Sequence, residues 1–192
     1  MSKPDPALLR ALVVDDDSDI RRQIGEVLTS RGWSVRLCGN GREAIDAVDD
    51  FNPLVAVLDL KMPIMTGTEV LREVRKRRPW AQVIIITGHG TEDDAVQSLN
   101  DHAFAFMRKP VSPFAVAAKC EEAIESIPTP IFAFYQWFHA LPDPNRVVFQ
   151  TASGKQVSAK DLLAEIESQS EEGRAFVEHV MRVAVELISK RL

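Results

Sequence analysis

The chain predicts an α/β fold on a parallel sheet, from two observations. Short β-branched apolar runs recur five times, and stretches of helical period separate them. The runs are ALVVD (11–15), SVRLC (34–38), LVAVLDL (54–60), QVIIIT (82–87) and AFAFMRK (103–109). Their unbroken apolarity, in place of in-out alternation, predicts strands covered on both faces. Strand alternating with helix then predicts right-handed crossovers, with helices on both sides of the sheet.

Taken in order, the strand at 11–15 leads to a helix near Ser18, a residue able to cap it. Further helices are predicted to begin near Gly41, near Gly67, at Thr91 and near Ser112. Thr91 followed by Asp94 has capping-box spacing, with Asp in place of the usual Glu or Gln. Pro128 and Pro130 then halt the fifth helix and favour extended chain, which sets a domain boundary between 1–127 and 128–192. The second part opens with the aromatic segment IFAFYQWFH (131–139) and a Pro-Asp-Pro-Asn turn at 142–145. Next, VVFQTASGKQVS reads as a β-hairpin around Ala152-Ser153-Gly154. A helix from Ser158, with Asp161 at the capping-box position, and a longer one over 171–192 complete a small, mostly helical domain.

Composition bounds the function. With 192 residues, 45% hydrophobic and 27% charged, the chain reads as one medium globular domain plus a smaller one, not as a fibrous or disordered protein. Two cysteines, Cys38 and Cys120, make no disulfide framework and read as buried apolar fillers. The start MSKPDPALLR lacks the apolar core of a signal peptide, so the expected compartment is the cytoplasm. Runs such as Val83–Ile86 fall far short of the roughly 20 residues that a membrane helix needs. A net charge of -5 argues against nucleic acid as a partner.

In open parallel sheets the ligand site lies at the carboxyl ends of the strands. There the first strand ends in Asp15-Asp16, the third presents Asp59, the fourth ends at Thr87 and the fifth at Lys109-Pro110. Three carboxylates gathered together repel unless a cation sits among them, and hard oxygen ligands suit Mg²⁺. A lysine and a hydroxyl facing the same spot serve a tetrahedral anion, which leaves one carboxylate as phosphoryl acceptor.

The segments VVDDDSDIR, VLDLKMPIMTG, VIIITGHG and FMRKP resemble the signatures of the response-regulator receiver domain, over about residues 10–127. The resemblance implies a flavodoxin-like fold, a five-stranded sheet of order 2-1-3-4-5. It implies Asp59 as phosphoacceptor, Asp15 and Asp16 as the acidic pair that holds Mg²⁺, and the backbone carbonyl of Lys61 as a further metal ligand. Thr87 would be the switch hydroxyl, Lys109 the lysine that pairs with the phosphoryl group, and Phe106 the aromatic switch residue. Lys109-Pro110 would be a cis peptide. The phosphodonor would be a sensor histidine kinase, and the receiver would catalyse its own phosphorylation and dephosphorylation. Where the family commonly has Gly and Ala before the fifth strand, this chain has Asn100-Asp101-His102-Ala103, and Asn is able to supply the left-handed geometry of Gly.

Other charged features read as ordinary surface. Asp17 and Asp19 favour the dipole of the first helix, and Arg75-Lys76-Arg77-Arg78 reads as a solvated helix end. His89, His102, His139 and His179 lack metal-ligand spacing, and His179 reads as a surface histidine, not a phosphotransfer residue.

Residues 128–192 hold 7 Lys+Arg against 8 Asp+Glu and show no helix-turn-helix, Walker or nucleotide-cyclase pattern, so no separate enzymatic output is expected. Phe132, Phe134, Tyr135, Trp137 and Phe138 concentrate aromatic area for a satellite core or a partner surface. Apolar stripes on the last helix (Val177, Met181, Ala184 and Ile188; Phe176, Val180, Val183 and Leu187) need covering, by the first domain or by a second copy of the chain. The expectation is a two-component response regulator in which phosphorylation shifts a dimerisation or protein-target surface governed by 128–192. A phosphorylation-controlled DNA-binding regulator with an atypical output domain is the alternative.

Overall fold

The computed structural model describes residues 9–78, 80–88, 101–127, 132, 134, 137–138, 141–150, 154–167 and 170–179. The chain divides into two compact units, Met1–Ile127 and Pro128–Leu192.

In the first unit, β1 (Arg10–Val14), β2 (Ser34–Cys38), β3 (Val55–Asp59), β4 (Gln82–Thr87) and β5 (Ala105–Arg108) form one sheet. All its pairings are parallel and the strand order is β2-β1-β3-β4-β5. Helices α1 (Ser18–Ser30) and α4 (Pro113–Glu125) pack together, as do α2 (Gly41–Phe51) and α3 (Gly67–Arg77). The α/β class read from the alternating elements and the strand order implied by the receiver resemblance are those observed.

Burial follows position in the sheet. Every residue of β3 is buried, as are Ala11–Val14 and Val83–Thr87. The edge strands depart from the expectation of cover on both faces. In β2 only Cys38 is fully buried and Leu37 is 42% exposed, while β5 has no fully buried residue. An apolar run reports cover where both flanks are strands, and less where one flank is open. The buried thiols behave as the expected apolar fillers: burial pushes Cys38 up to about 11 and Cys120 up to about 12.

The helix starts are fixed by side-chain caps. Asp17, not the expected Ser18, caps α1, accepting from the backbone N–H groups of Asp19 and Ile20. Asn40 caps α2 through the Glu43 N–H. Thr66 and Glu69 form a full capping box at α3. Pro113 opens α4, where Ser112 is the N-cap residue but makes no side-chain cap bond. The helix expected from Thr91 lies outside the described residues.

Three non-glycine residues among those described have left-handed backbones: Asn52 at the end of α2, His102 before β5, and Ile64 in the loop after β3 on the site edge. His102, with φ 66°, takes the conformation that was expected of Asn100, itself outside the described residues. Ile64 has φ 72° and is 83% exposed. The basic run is not simply solvated. Arg75 donates to the Ala81 carbonyl, Arg77 pairs with Asp49 at 2.7 Å and Glu73 at 3.4 Å, and Arg78 donates to the Asp49 carbonyl at 3.2 Å. The two bonds to Asp49 tie the end of α3 to the end of α2.

In the second unit, β6 (Val147–Gln150) and β7 (Gln156–Ser158) pair antiparallel as the expected hairpin, whose tip at 151–153 lies outside the described residues. Helix α5 (Ala159–Glu167) follows, capped as expected: Ser158 Oγ accepts from the Asp161 N–H and donates to its carboxylate. Residues 171–179 are helical, and the rest of the last predicted helix lies outside the described residues. A Cβ on Gly173 would stand 2.1 Å from the Glu165 carbonyl oxygen, so only glycine permits the approach of this segment to α5. Phe134 meets Trp137 and Phe176 at 5.5 Å between ring centroids, so part of the aromatic run packs within this unit, while Trp137 stays 41% exposed.

Candidate functional site

Parallel register sets the site. Val14 pairs with Leu58, Asp59 with Ile86, and Thr87 with Arg108, so strands of different sequence position end at one level. Asp15 follows β1 directly, Asp59 closes β3, Thr87 closes β4 and Lys109 follows β5. Backbone bonds lock these ends: the Asp15 N–H donates to Cys38, and the Lys109 N–H to Thr87.

The carboxylates of Asp15, Asp16 and Asp59 place ligand oxygens within 4.8 Å of one another. Asp15 is fully buried, Asp59 nearly so and Asp16 exposed. Lys109 Nζ donates to Asp15 Oδ2 at 2.7 Å and to Asp59 Oδ2 at 3.0 Å. One amine thus bridges acids on two strands.

Burial is the largest influence on the Asp15 carboxyl and raises its pKa above the ordinary value, although the Lys109 bond opposes it. Burial also works against the charged Lys109, but its hydrogen bonds to Asp15 and Asp59 outweigh that and raise its pKa. Three acids against one close amine leave an excess of hard anionic oxygen. That donor set fits a divalent cation such as Mg²⁺.

Thr87 is buried at the end of β4. Phe106 pairs with Ile85 in the sheet and is half-buried against the core. The Lys61 N–H approaches Asp59 Oδ1 at 3.4 Å. The Lys109-Pro110 peptide is cis.

Two residues around the site, both inside the quoted segments, had no site role assigned from the sequence. A Cβ at Gly67 would stand 2.1 Å from the Asp59 carbonyl oxygen, so the first turn of α3 lies directly against the strand end that carries the candidate acceptor. Gly67 closes the VLDLKMPIMTG segment and marks the expected helix start, but neither signal pointed to its contact with Asp59. Arg21, on α1, donates from Nη1 to the backbone carbonyl of Asp15. No spacing rule points to it, since its partner is backbone.

A parallel sheet whose carboxyl edge gathers acids, a lysine and a strand-end threonine is the arrangement that the resemblance to a receiver domain implied. Comparison with known families makes that specific: the chain belongs to the response regulator receiver domain family, which matches residues 11–121. It is 36% identical over 114 residues to the DNA-binding transcriptional regulator NtrC of Klebsiella pneumoniae, across 59% of this chain and 24% of that protein. Similarity to the transcriptional regulatory protein GlrR of Escherichia coli K12 is 34% over 114 residues, covering 59% and 26% respectively. The chain therefore matches about a quarter of the length of these relatives. Among solved structures, a CheY-like response regulator receiver domain from Methanospirillum hungatei JF-1 superposes with a TM-score of 0.59 at 33% identity, covering 62% of this chain and 94% of that one.

Proposed function

We propose that the protein is a response regulator whose receiver accepts a phosphoryl group on Asp59 with Mg²⁺ as cofactor. The observation that carries this is the Lys109 amine bridging Asp15 and Asp59, with Asp16 exposed beside them. Asp15, Asp16, Asp59 and the Lys61 carbonyl are the residues to hold the metal. When bound, the cation offsets negative charge on the phosphoryl oxygens and on the acids.

In the step proposed, an Asp59 carboxylate oxygen attacks the phosphorus of a phosphohistidine on a sensor kinase. A P–O bond forms and the P–N bond breaks, its electron pair returning to the imidazole, which takes up a proton. Lys109, hydrogen-bonded to Asp59 in the unphosphorylated form, stays to pair with the new dianion. Thr87 is the hydroxyl that turns toward the phosphoryl group, and Phe106, half-buried beside β4, is the side chain whose packing responds. Replacing a lone carboxylate by a covalently held dianion changes the contacts of the two states differently, which is what a switch requires.

Residues 128–192 would carry the output. Their near-even charge, 7 basic to 8 acidic residues, lacks the basic footprint of a nucleic-acid module and favours a protein target or a second copy of the chain. The cytoplasm suits this reading, and among the described residues no helix is long and apolar enough to cross a membrane.

The test is acid-labile phosphate incorporation from a small-molecule donor such as acetyl phosphate, with Mg²⁺ present. Labelling is expected in the wild type and absent in Asp59→Asn. Equal labelling of that variant would refute the assignment.

A further inference from the structure

The peptide unit joining Asp15 to Asp16 sets where the backbone of Asp16 starts, while the Asp15 carboxylate has its own holds on Lys109 and the Asp17 N–H. The carbonyl oxygen of that unit is the one that accepts from Arg21 Nη1. The unit is planar and trans, so fixing the carbonyl direction fixes where the Asp16 N–H and Cα stand. Neighbouring bonds hold other units: the Asp15 N–H donates to Cys38 at 3.3 Å, and the Asp17 N–H to Asp15 Oδ1 at 3.0 Å. Among the described residues, the Arg21 bond is the one made to the peptide between the two acids.

The surroundings accommodate the guanidinium. Its two terminal nitrogens lie 3.7 Å from the point where a Cβ on Gly39 would be. Glu43 Oε2, which accepts from the Gly39 N–H at 2.7 Å, lies 3.6 Å from the same point. A side chain at 39 would crowd both groups. The loop after β2 and the helix α1 thus meet at one arginine under the acidic pair.

We propose that Arg21 is a positioning residue for the divalent-cation site: it aims the exposed Asp16 carboxylate by clamping the Asp15 carbonyl. This rests on the metal reading given above. Charge alone predicts the opposite effect, which makes the inference sharp. A nearby cation repels a divalent ion, so deleting Arg21 would tighten metal binding if its role were electrostatic. A positioning role predicts weakening, because groups that orient ligands typically contribute about 10–100-fold in metal affinity.

The experiment is calorimetric titration of the full chain with Mn²⁺ and with Mg²⁺, alongside metal-free thermal melting. Arg21→Met keeps the aliphatic stem and removes the donor, and it is expected to weaken binding about tenfold while leaving the metal-free midpoint little changed. Arg21→Lys restores a charged donor and is expected to recover most of the affinity. Unchanged or tighter binding by Arg21→Met overturns the proposal, as does an Arg21→Lys variant no better than Arg21→Met. Asp16→Asn separates the two layers. If it binds the ions as well as wild type, the metal reading itself fails; if it loses them while Arg21→Met does not, only the role of Arg21 fails.

Discussion

Asp15 is a carboxyl held at the floor of an anionic cluster, and its raised pKa has a stability consequence. A carboxyl whose folded pKa exceeds its unfolded one binds its proton more tightly in the fold. Its ionisation therefore costs stability, with no cost below the unfolded pKa and the full cost once pH has passed the raised one. Lys109 works in the other direction: raised above its unfolded value, it stabilises the fold at neutral pH and loses that contribution as pH rises through its folded value. Asp15→Asn should accordingly raise the urea midpoint of metal-free protein at neutral pH, and the difference should vanish below the ordinary carboxylate range. A lower midpoint at neutral pH would show that the Asp15–Lys109 pair outweighs burial. The candidate acids and Lys109 were legible because each stands at the end of an apolar run, where sequence position and spatial level coincide. Arg21 closes the VVDDDSDIR segment, but its role was not legible there, since a backbone carbonyl has no letter in the sequence.

At the scale of elements, the loop between β3 and α3 combines a tight approach with a strained residue. Gly67 lets α3 abut the Asp59 carbonyl, and the Thr66–Glu69 box fixes the start of that helix. Between them and the strand, Ile64 holds a left-handed backbone while nearly fully exposed. That conformation costs an L-residue about 1–2 kcal/mol, against about 0.5–1 kcal/mol for the extra chain entropy of glycine. Ile64→Gly should therefore stabilise the protein by up to about 1.5 kcal/mol, read as a higher urea midpoint with an unchanged m-value. A loss of stability would mean that the isoleucine side chain makes up for its backbone. Helix and strand periodicity placed these elements well. Exposure at the two sheet edges was hidden, because strand order is a property of the assembled sheet and not of any one run. The choice of Asp17 over Ser18 was hidden as well, since both residue types cap helices and only the entry path of the chain decides between them.

For the molecule as a whole, a ligand that binds only the folded state must raise its stability. At a hundredfold excess over its dissociation constant, a divalent cation contributes about 2.7 kcal/mol, so Mg²⁺ is expected to raise the thermal midpoint by several degrees. Asp16→Asn should abolish most of that rise, and an equal rise in that variant would place the ion elsewhere. The receiver's topology was legible from its alternating elements and site motifs, whereas 128–192 offered only a hairpin, caps and an aromatic run. In that unit the decisive contact is the passage of residues 171–179 at Gly173, which depends on a missing Cβ and not on any motif. The Lys109 bridge has a further consequence. In the sheet, β5 is hydrogen-bonded to β4 alone, yet the amine just beyond its end grips acids from β3 and β1, two and three places inward. The outermost strand is thus laced to the interior of the sheet by charge, and whatever competes for that amine loosens the rim as it fills the centre.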